Sequence, residues 1–212
     1  MKNISFLVII STLVISCSPG NKKQEVATEP VSANANKYLF LDVHNLEPGK
    51  VTYDAVAGAH QKDLATQDKF GVNFVKYWVD EAAGKVYCLA TSPDSASIYQ
   101  SHKEAHGLVP DLVQLVSDGP EAATRITSSP LFMDVHHLGA GKVKAEDVAK
   151  AHEKDLAVQD KYKVNFVNYW VNEKLGVVMC LAEAPDSAAM TNAHKEAHGL
   201  IPDEMHKVKE GN

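Results

Sequence analysis

The sequence predicts an α+β protein in which one small domain is built twice. Three observations lead there. The chain aligns with itself without a gap, Leu39–Val116 onto Leu131–Val208, with 47 of 78 positions identical. Within each copy, apolar stretches with strand-like alternation exchange with stretches of helical spacing. Proline, glycine and Asp-Ser signals fall between them, where turns and helix caps are needed. A unit of this length is too long for a solenoid repeat and long enough for a small domain.

The elements follow in order. Residues 1–17 read as a secretory signal: a positive start at Lys2, an apolar run over Ile4–Val14, and Val14-Ile15-Ser16-Cys17. That run is too short to span a bilayer as a mature helix. Its last four residues resemble a bacterial lipoprotein box, which implies lipid attachment at Cys17 and a place in the cell envelope, facing the periplasm or the outer surface. Residues 18–37 are polar and lack apolar periodicity, the composition of a flexible tether. The first domain is expected over 38–117, a linker of about 40 Å reach over 118–130, and the second domain over 131–210.

Within the first domain, Tyr38–His44 alternates as a strand, and Pro48-Gly49 turns the chain. Thr52–Asp68 carries Val56, Ala59, His60 and Leu64 on one helical stripe. Val72–Val79 and Lys85–Ala90 form a hairpin across Asp80–Gly84. Asp94 caps a helix that runs to His106, and Pro110–Val116 holds a last strand. Strand, helix, two strands, helix, strand is the split βαβ, ferredoxin-like arrangement, twice over. Domains near 80 residues have limited cores, so the copies are expected to pair as an internal pseudo-dimer of the dimeric α/β-barrel type. In the first strand Leu39, Leu41 and Val43 are expected to face the helices, which turns Asp42 and His44 toward the other copy.

Composition excludes some partners. A net charge of −6 disfavours nucleic-acid binding and is compatible with attracting cations. The sequence shows no phosphate loop, GxSxG elbow, CxxC or HExxH pattern. The chemistry-bearing feature is His102-Lys103-Glu104-Ala105-His106-Gly107, which returns as His194-Lys195-Glu196-Ala197-His198-Gly199. Histidines four apart share one helical face, and the glycine suits a left-handed closing position. The fold brings His44, His60, His102 and His106 toward one end of the first copy, and His136, His152, His194 and His198 toward the same end of the second. Paired imidazoles with a third ligand suit nickel, zinc or copper. Asp63 would orient His60. A catalytic base and a plain polar helix face remain alternatives. Cys88 and Cys180 are expected to be buried, inert thiols, and His137 and His206, which lack counterparts, to lie on the surface.

Asp-Val-His, Ala-His-x-Lys-Asp-Leu, Tyr-Trp-Val, Cys-Leu-Ala and His-Lys-Glu-Ala-His-Gly together resemble the nickel-binding, nickel-responsive family of small ferredoxin-like bacterial proteins. The resemblance implies a ferredoxin-like fold, pairing into a dimer, and Ni2+ held by histidines. Spacing alone does not choose nickel over Zn2+ or Cu2+. This chain differs in carrying two domains and a lipoprotein signal. The expectation is an extracytoplasmic lipoprotein that binds nickel for buffering, sensing or delivery. The alternatives are a barrel-type oxygenase or isomerase, with a polar cavity between the sheets lined by Asp42, His44, Asp134 and His136, or a binding module without metal.

Overall fold

A computed structural model describes residues 37–119 and 129–212. The expected signal peptide with Cys17, nearly all of the tether and most of the linker lie outside these residues. The first half runs β1 (Tyr38–Asn45), α1 (Tyr53–Thr66), β2 (Asn73–Asp80), β3 (Lys85–Ser92), α2 (Ser95–Ala105), β4 (Leu112–Leu115) and β5 (Ser117–Asp118). The second runs β6 (Leu131–His137), α3 (Ala145–Tyr162), β7 (Asn165–Asn172), β8 (Val177–Glu183), α4 (Ser187–Ala197) and β9 (Glu204–Gly211).

Local chemistry explains the helix starts. Thr52 caps α1 by accepting from the Ala55 N–H at 3.2 Å, and Asp94 and Asp186 cap α2 and α4 through the Ser97 and Ala189 N–H groups, both at 2.8 Å. Glu81 and Glu173, in the hairpin turns, reach across to the Tyr53 and Ala145 N–H groups at 2.6 and 2.8 Å. The turn after β2 lies against the loop after β1. At Gly84 a Cβ would sit 2.4 Å from the Leu46 carbonyl oxygen, and φ is +69°, so only glycine fits.

The strand order is β4-β1-β3-β2-β9-β6-β8-β7-β5. Its two ends, β4 and β5, are consecutive in the chain and separated by Val116 alone, so the sheet closes into a barrel. At the other seam, β9 pairs with β6 over Glu204–Val208 and with β2 over Lys209–Gly211. The last strand of each half therefore bonds to both halves. Asp118, expected in the linker, is strand paired with Trp170.

The interior of the barrel is apolar and drawn from both halves: Leu41, Val43, Tyr87 and Leu89 meet Met133, Val135, Met179 and Leu181. Trp78 and Trp170 pack against each other within it, ring centroids 5.0 Å apart and planes tilted by 52°. This corrects the expected facing of the first strand. Leu41 and Val43 point into the barrel, while Asp42 and His44 point toward the helices, as do Asp134 and His136. Both faces of the sheet are buried, so alternation marks two faces without saying which one is which. The polar cavity expected between the sheets is filled by these side chains instead. A bulge also breaks the regular strand expected over Val72–Val79: the register shifts between Phe74 and Lys76, which puts Phe74 and Tyr77 on the helix side together.

The two seams are not alike. At one, His206 is buried, with Nδ1 3.0 Å from Asp80 Oδ2 and Nε2 3.1 Å from Glu204 Oε2. It was expected at the surface; only His137 is exposed. At the other seam Gln114 takes the place of His206 and Asn172 that of Asp80, and the Asn172 amide donates to Gln114 Oε1 at 3.3 Å.

With one core shared by both halves, Trp170→Ala should cost about 3–5 kcal/mol. It should lower a single cooperative transition in urea followed by fluorescence and circular dichroism. Two separated transitions in the unmodified protein would contradict a shared core.

Candidate metal centre

Register places the first group of side chains. Asp42 lies directly opposite Cys88 across β1 and β3, and Asp134 opposite Cys180 across β6 and β8, all four facing the helices. His44 and His136 follow two residues on, the same face by strand period. The helices bring the second group. Asp63 of α1 and His102 and His106 at the end of α2 converge in one half, and Asp155, His194 and His198 in the other. Gly107 and Gly199 close α2 and α4 at φ +81° and +80°.

His102 joins the two groups and is 1% exposed. Its Nδ1 lies 3.0 Å from Asp63 Oδ1 and 3.2 Å from His106 Nε2, and its Nε2 lies 3.3 Å from Asp42 Oδ2. His106 Nε2 is 3.1 Å from Asp63 Oδ1, and its Nδ1 accepts from the Leu108 N–H at 3.2 Å. The second half repeats this with His194 Nδ1 2.9 Å from Asp155 Oδ1 and Nε2 3.0 Å from Asp134 Oδ2. His44 Nε2 and His136 Nε2 sit 3.3 and 3.2 Å from Asp42 Oδ1 and Asp134 Oδ1. Those contacts lack hydrogen-bond alignment, so the two buried carboxylate oxygens have no hydrogen-bond partner among the described residues.

The electrostatics follow from this enclosure. Burial opposes a charge on His102, but the hydrogen bonds and negative charges of Asp42 and Asp63 outweigh it, and its pKa rises to about 9. His194 is raised to about 10 for the same reasons. Burial also works against ionised Asp42, Asp63, Asp134 and Asp155, yet their imidazole partners hold all four below the usual carboxylate value. The Cys88 and Cys180 thiols are pushed up by burial and then by Asp42 and Asp134.

Beside each centre is a pocket of about 90 Å³ in the first half and about 100 Å³ in the second. The first is lined by Val51, Val56, Val86 and Leu108, with His60, Asp63, His102 and His106 among its polar residues. His60 and His152 line the pockets without joining the clusters. The His60 ring packs on Tyr77 at 4.7 Å, and both nitrogens of His152 are buried without a hydrogen-bond partner among the described residues. Burial lowers the pKa of both rings. Asp63 was expected to orient His60; it serves His102 and His106. The cysteines, expected to be inert, lie within ligand distance of the first group. Their pairing with Asp42 and Asp134 was open to view only through strand register.

The donor set fits a divalent transition metal. Ligand atoms held at roughly 2.0–2.1 Å from an ion stand roughly 2.9–3.4 Å from one another, which is the spacing of Asp63, His102 and His106. Without an ion, the Nδ1–H of His102 and the Nε2–H of His106 can both donate to the Asp63 carboxylate at this spacing.

Residues 40–116 and again 132–208 match the family model of the "Nickel responsive protein SCO4226-like" proteins. The crystal structure of SCO4226 from Streptomyces coelicolor A3(2) is 35% identical over 36% of this chain and 93% of its own, with a TM-score of 0.35. A chlorite dismutase from Candidatus Nitrospira defluvii, in complex with imidazole, is 9% identical over 84% and 91% of the two chains, with a TM-score of 0.47. A heme-binding protein from Thermus thermophilus is 11% identical over the same shares, with a TM-score of 0.38. These two distant likenesses carry nothing about chemistry. No match was found among curated protein sequences.

The raised histidine pKa values set the pH dependence of the metal-free fold. The stability they contribute is complete below the ordinary imidazole value of 6.5 and is lost as pH rises through about 9 to 10. The lowered aspartate values act oppositely, failing only as pH falls below 3.8. Urea midpoints measured in chelator should therefore fall between pH 6.5 and 10. A midpoint that rises over that range would contradict the buried imidazolium.

Proposed function

Because the chain belongs to the SCO4226-like nickel-responsive family, twice over, we propose that it binds a divalent transition metal, nickel foremost, at the floor of each pocket. The observation that carries this reading is the triad of Asp63, His102 and His106, repeated as Asp155, His194 and His198, with ligand atoms of each group within 4.8 Å of one another. Imidazole and carboxylate donors suit nickel, with zinc and copper as competitors. The triad offers three protein ligands and faces a pocket, so positions remain for exchangeable ligands, as buffering or delivery requires. The strand orders β4-β1-β3-β2 and β9-β6-β8-β7 support reading each repeat as ferredoxin-like and the pair as an internal pseudo-dimer.

We further read the protein as an extracytoplasmic lipoprotein held to the envelope through Cys17, on the residues preceding that cysteine. Its metal would then be met outside the cytoplasm, and the role is capture and hand-over at the cell surface or in the periplasm.

Full-length protein, stripped with chelator and titrated with nickel against zinc and copper, should bind nickel and release protons at pH 7, because His102 and His194 enter the reaction doubly protonated. His106→Ala with His198→Ala should weaken uptake by at least about 10²-fold; unchanged nickel uptake in that variant would remove the site. Separately, Cys17→Ser should move the protein from the membrane to the soluble fraction, and continued fractionation with membranes would remove the anchor.

A further inference from the structure

We propose that each repeat holds a second, enclosed metal ion, and that one imidazole ring bridges it to the ion at the pocket floor. In the second repeat the enclosed site is Asp134, His136, Cys180 and His194, and the bridging ring is His194. In the first repeat the equivalents are Asp42, His44 and Cys88, whose ligand atoms lie within 4.8 Å of one another, with His102 reaching the group through Nε2, 3.3 Å from Asp42 Oδ2. The inference rests on the nickel reading for the outer ion but is carried by different residues.

Three observations lead to it. The four potential ligand atoms of Asp134, His136, Cys180 and His194 lie within 4.8 Å of one another, and all four residues are buried. Asp134 Oδ1, and Asp42 Oδ1 in the first repeat, are buried without a hydrogen-bond partner among the described residues, although each would normally be satisfied. The two nitrogens of His194 face opposite ways, Nε2 to the carboxylate of the enclosed group at 3.0 Å and Nδ1 to that of the outer group at 2.9 Å. A ring so placed can give one nitrogen to each of two ions.

The donors define the ligand. One carboxylate, one thiolate and two imidazoles make four protein ligands, a closed set of the structural type, which suits a borderline-soft divalent ion such as zinc. Charge balance supports the pair. Two divalent ions would meet four negative groups: the carboxylates of Asp134 and Asp155, the Cys180 thiolate and the His194 imidazolate. A buried centre of net zero charge avoids the cost of an unpaired charge in the interior. On loading, the Cys180 S–H proton and both ring N–H protons of His194 leave to solvent. Nothing is oxidised or reduced.

The test uses the full-length protein, stripped and titrated with Co2+, whose thiolate complexes absorb strongly in the near ultraviolet. The expected result is two ions per repeat and a thiolate-to-cobalt charge-transfer band. Cys180→Ser should lose one ion and halve the band, while His194→Gln should lose both ions of its repeat. Loss of a single ion in His194→Gln would overturn the bridge. One ion per repeat without the band would overturn the enclosed site and leave the nickel reading intact, whereas no uptake at all would sink both. Should the variants fail to fold, X-ray absorption on the cobalt-loaded unmodified protein decides: sulfur at about 2.3 Å is expected, and nitrogen and oxygen alone would refute the enclosed site.

Discussion

A protonated imidazole held between two ionised carboxylates is the interaction on which each half of this molecule turns. His102 links Asp42 on a strand to Asp63 on a helix, and His194 does the same for Asp134 and Asp155. Each is a three-way tie among β1, α1 and α2, or among β6, α3 and α4. Charges this deep are tolerated only when every one faces an opposite charge and a hydrogen bond. The tie fixes where both helices sit on the sheet, and thereby the width of the pocket and the spacing of every ligand around it. Structure and the proposed binding would share the same atoms.

That sharing shapes the chemistry available. A cation arriving at the triad would not enter an empty anionic hole; it would exchange with protons already in place. His106 is constrained further, because its Nδ1 accepts a backbone N–H from Leu108 and its Nε2 must therefore carry the proton aimed at Asp63. Any metal affinity there would thus be coupled to the loop that follows the helix as well as to pH. The apolar walls of Val51, Val56 and Val86 add a low-dielectric setting in which a bound ion would meet little competition from water.

Much of this was legible in the chain, and the remainder was hidden for identifiable reasons. Duplication, element order and helix caps were open because each leaves a local mark: a repeat offset, a change of period, an Asp before Ser. That His102 and His106 end their helix at the same end of the domain as His44 ends its strand followed from topology. Facing did not, because a sheet buried on both sides carries apolar residues at successive positions, and Leu41 is as hidden as Asp42. The cysteines' neighbourhood depended on which strand residue stands opposite which, and the bulge after Phe74 has no signature in composition. His206 looked like a surface residue because its carboxylate partner, Asp80, lies 126 positions away.

The unequal seams carry a lesson about joining two copies in one chain. Where identical subunits pair about a two-fold axis, any substitution appears at both symmetry-related places, so a polar contact cannot be installed on one side alone. Tandem fusion lifts that constraint. Asp80 with His206 on one side and Asn172 with Gln114 on the other are alternative solutions to one packing problem, and only a covalently joined pair is free to keep both. Heterogeneity of this kind gives a single polypeptide two non-equivalent halves, the starting point from which paired sites can diverge in affinity.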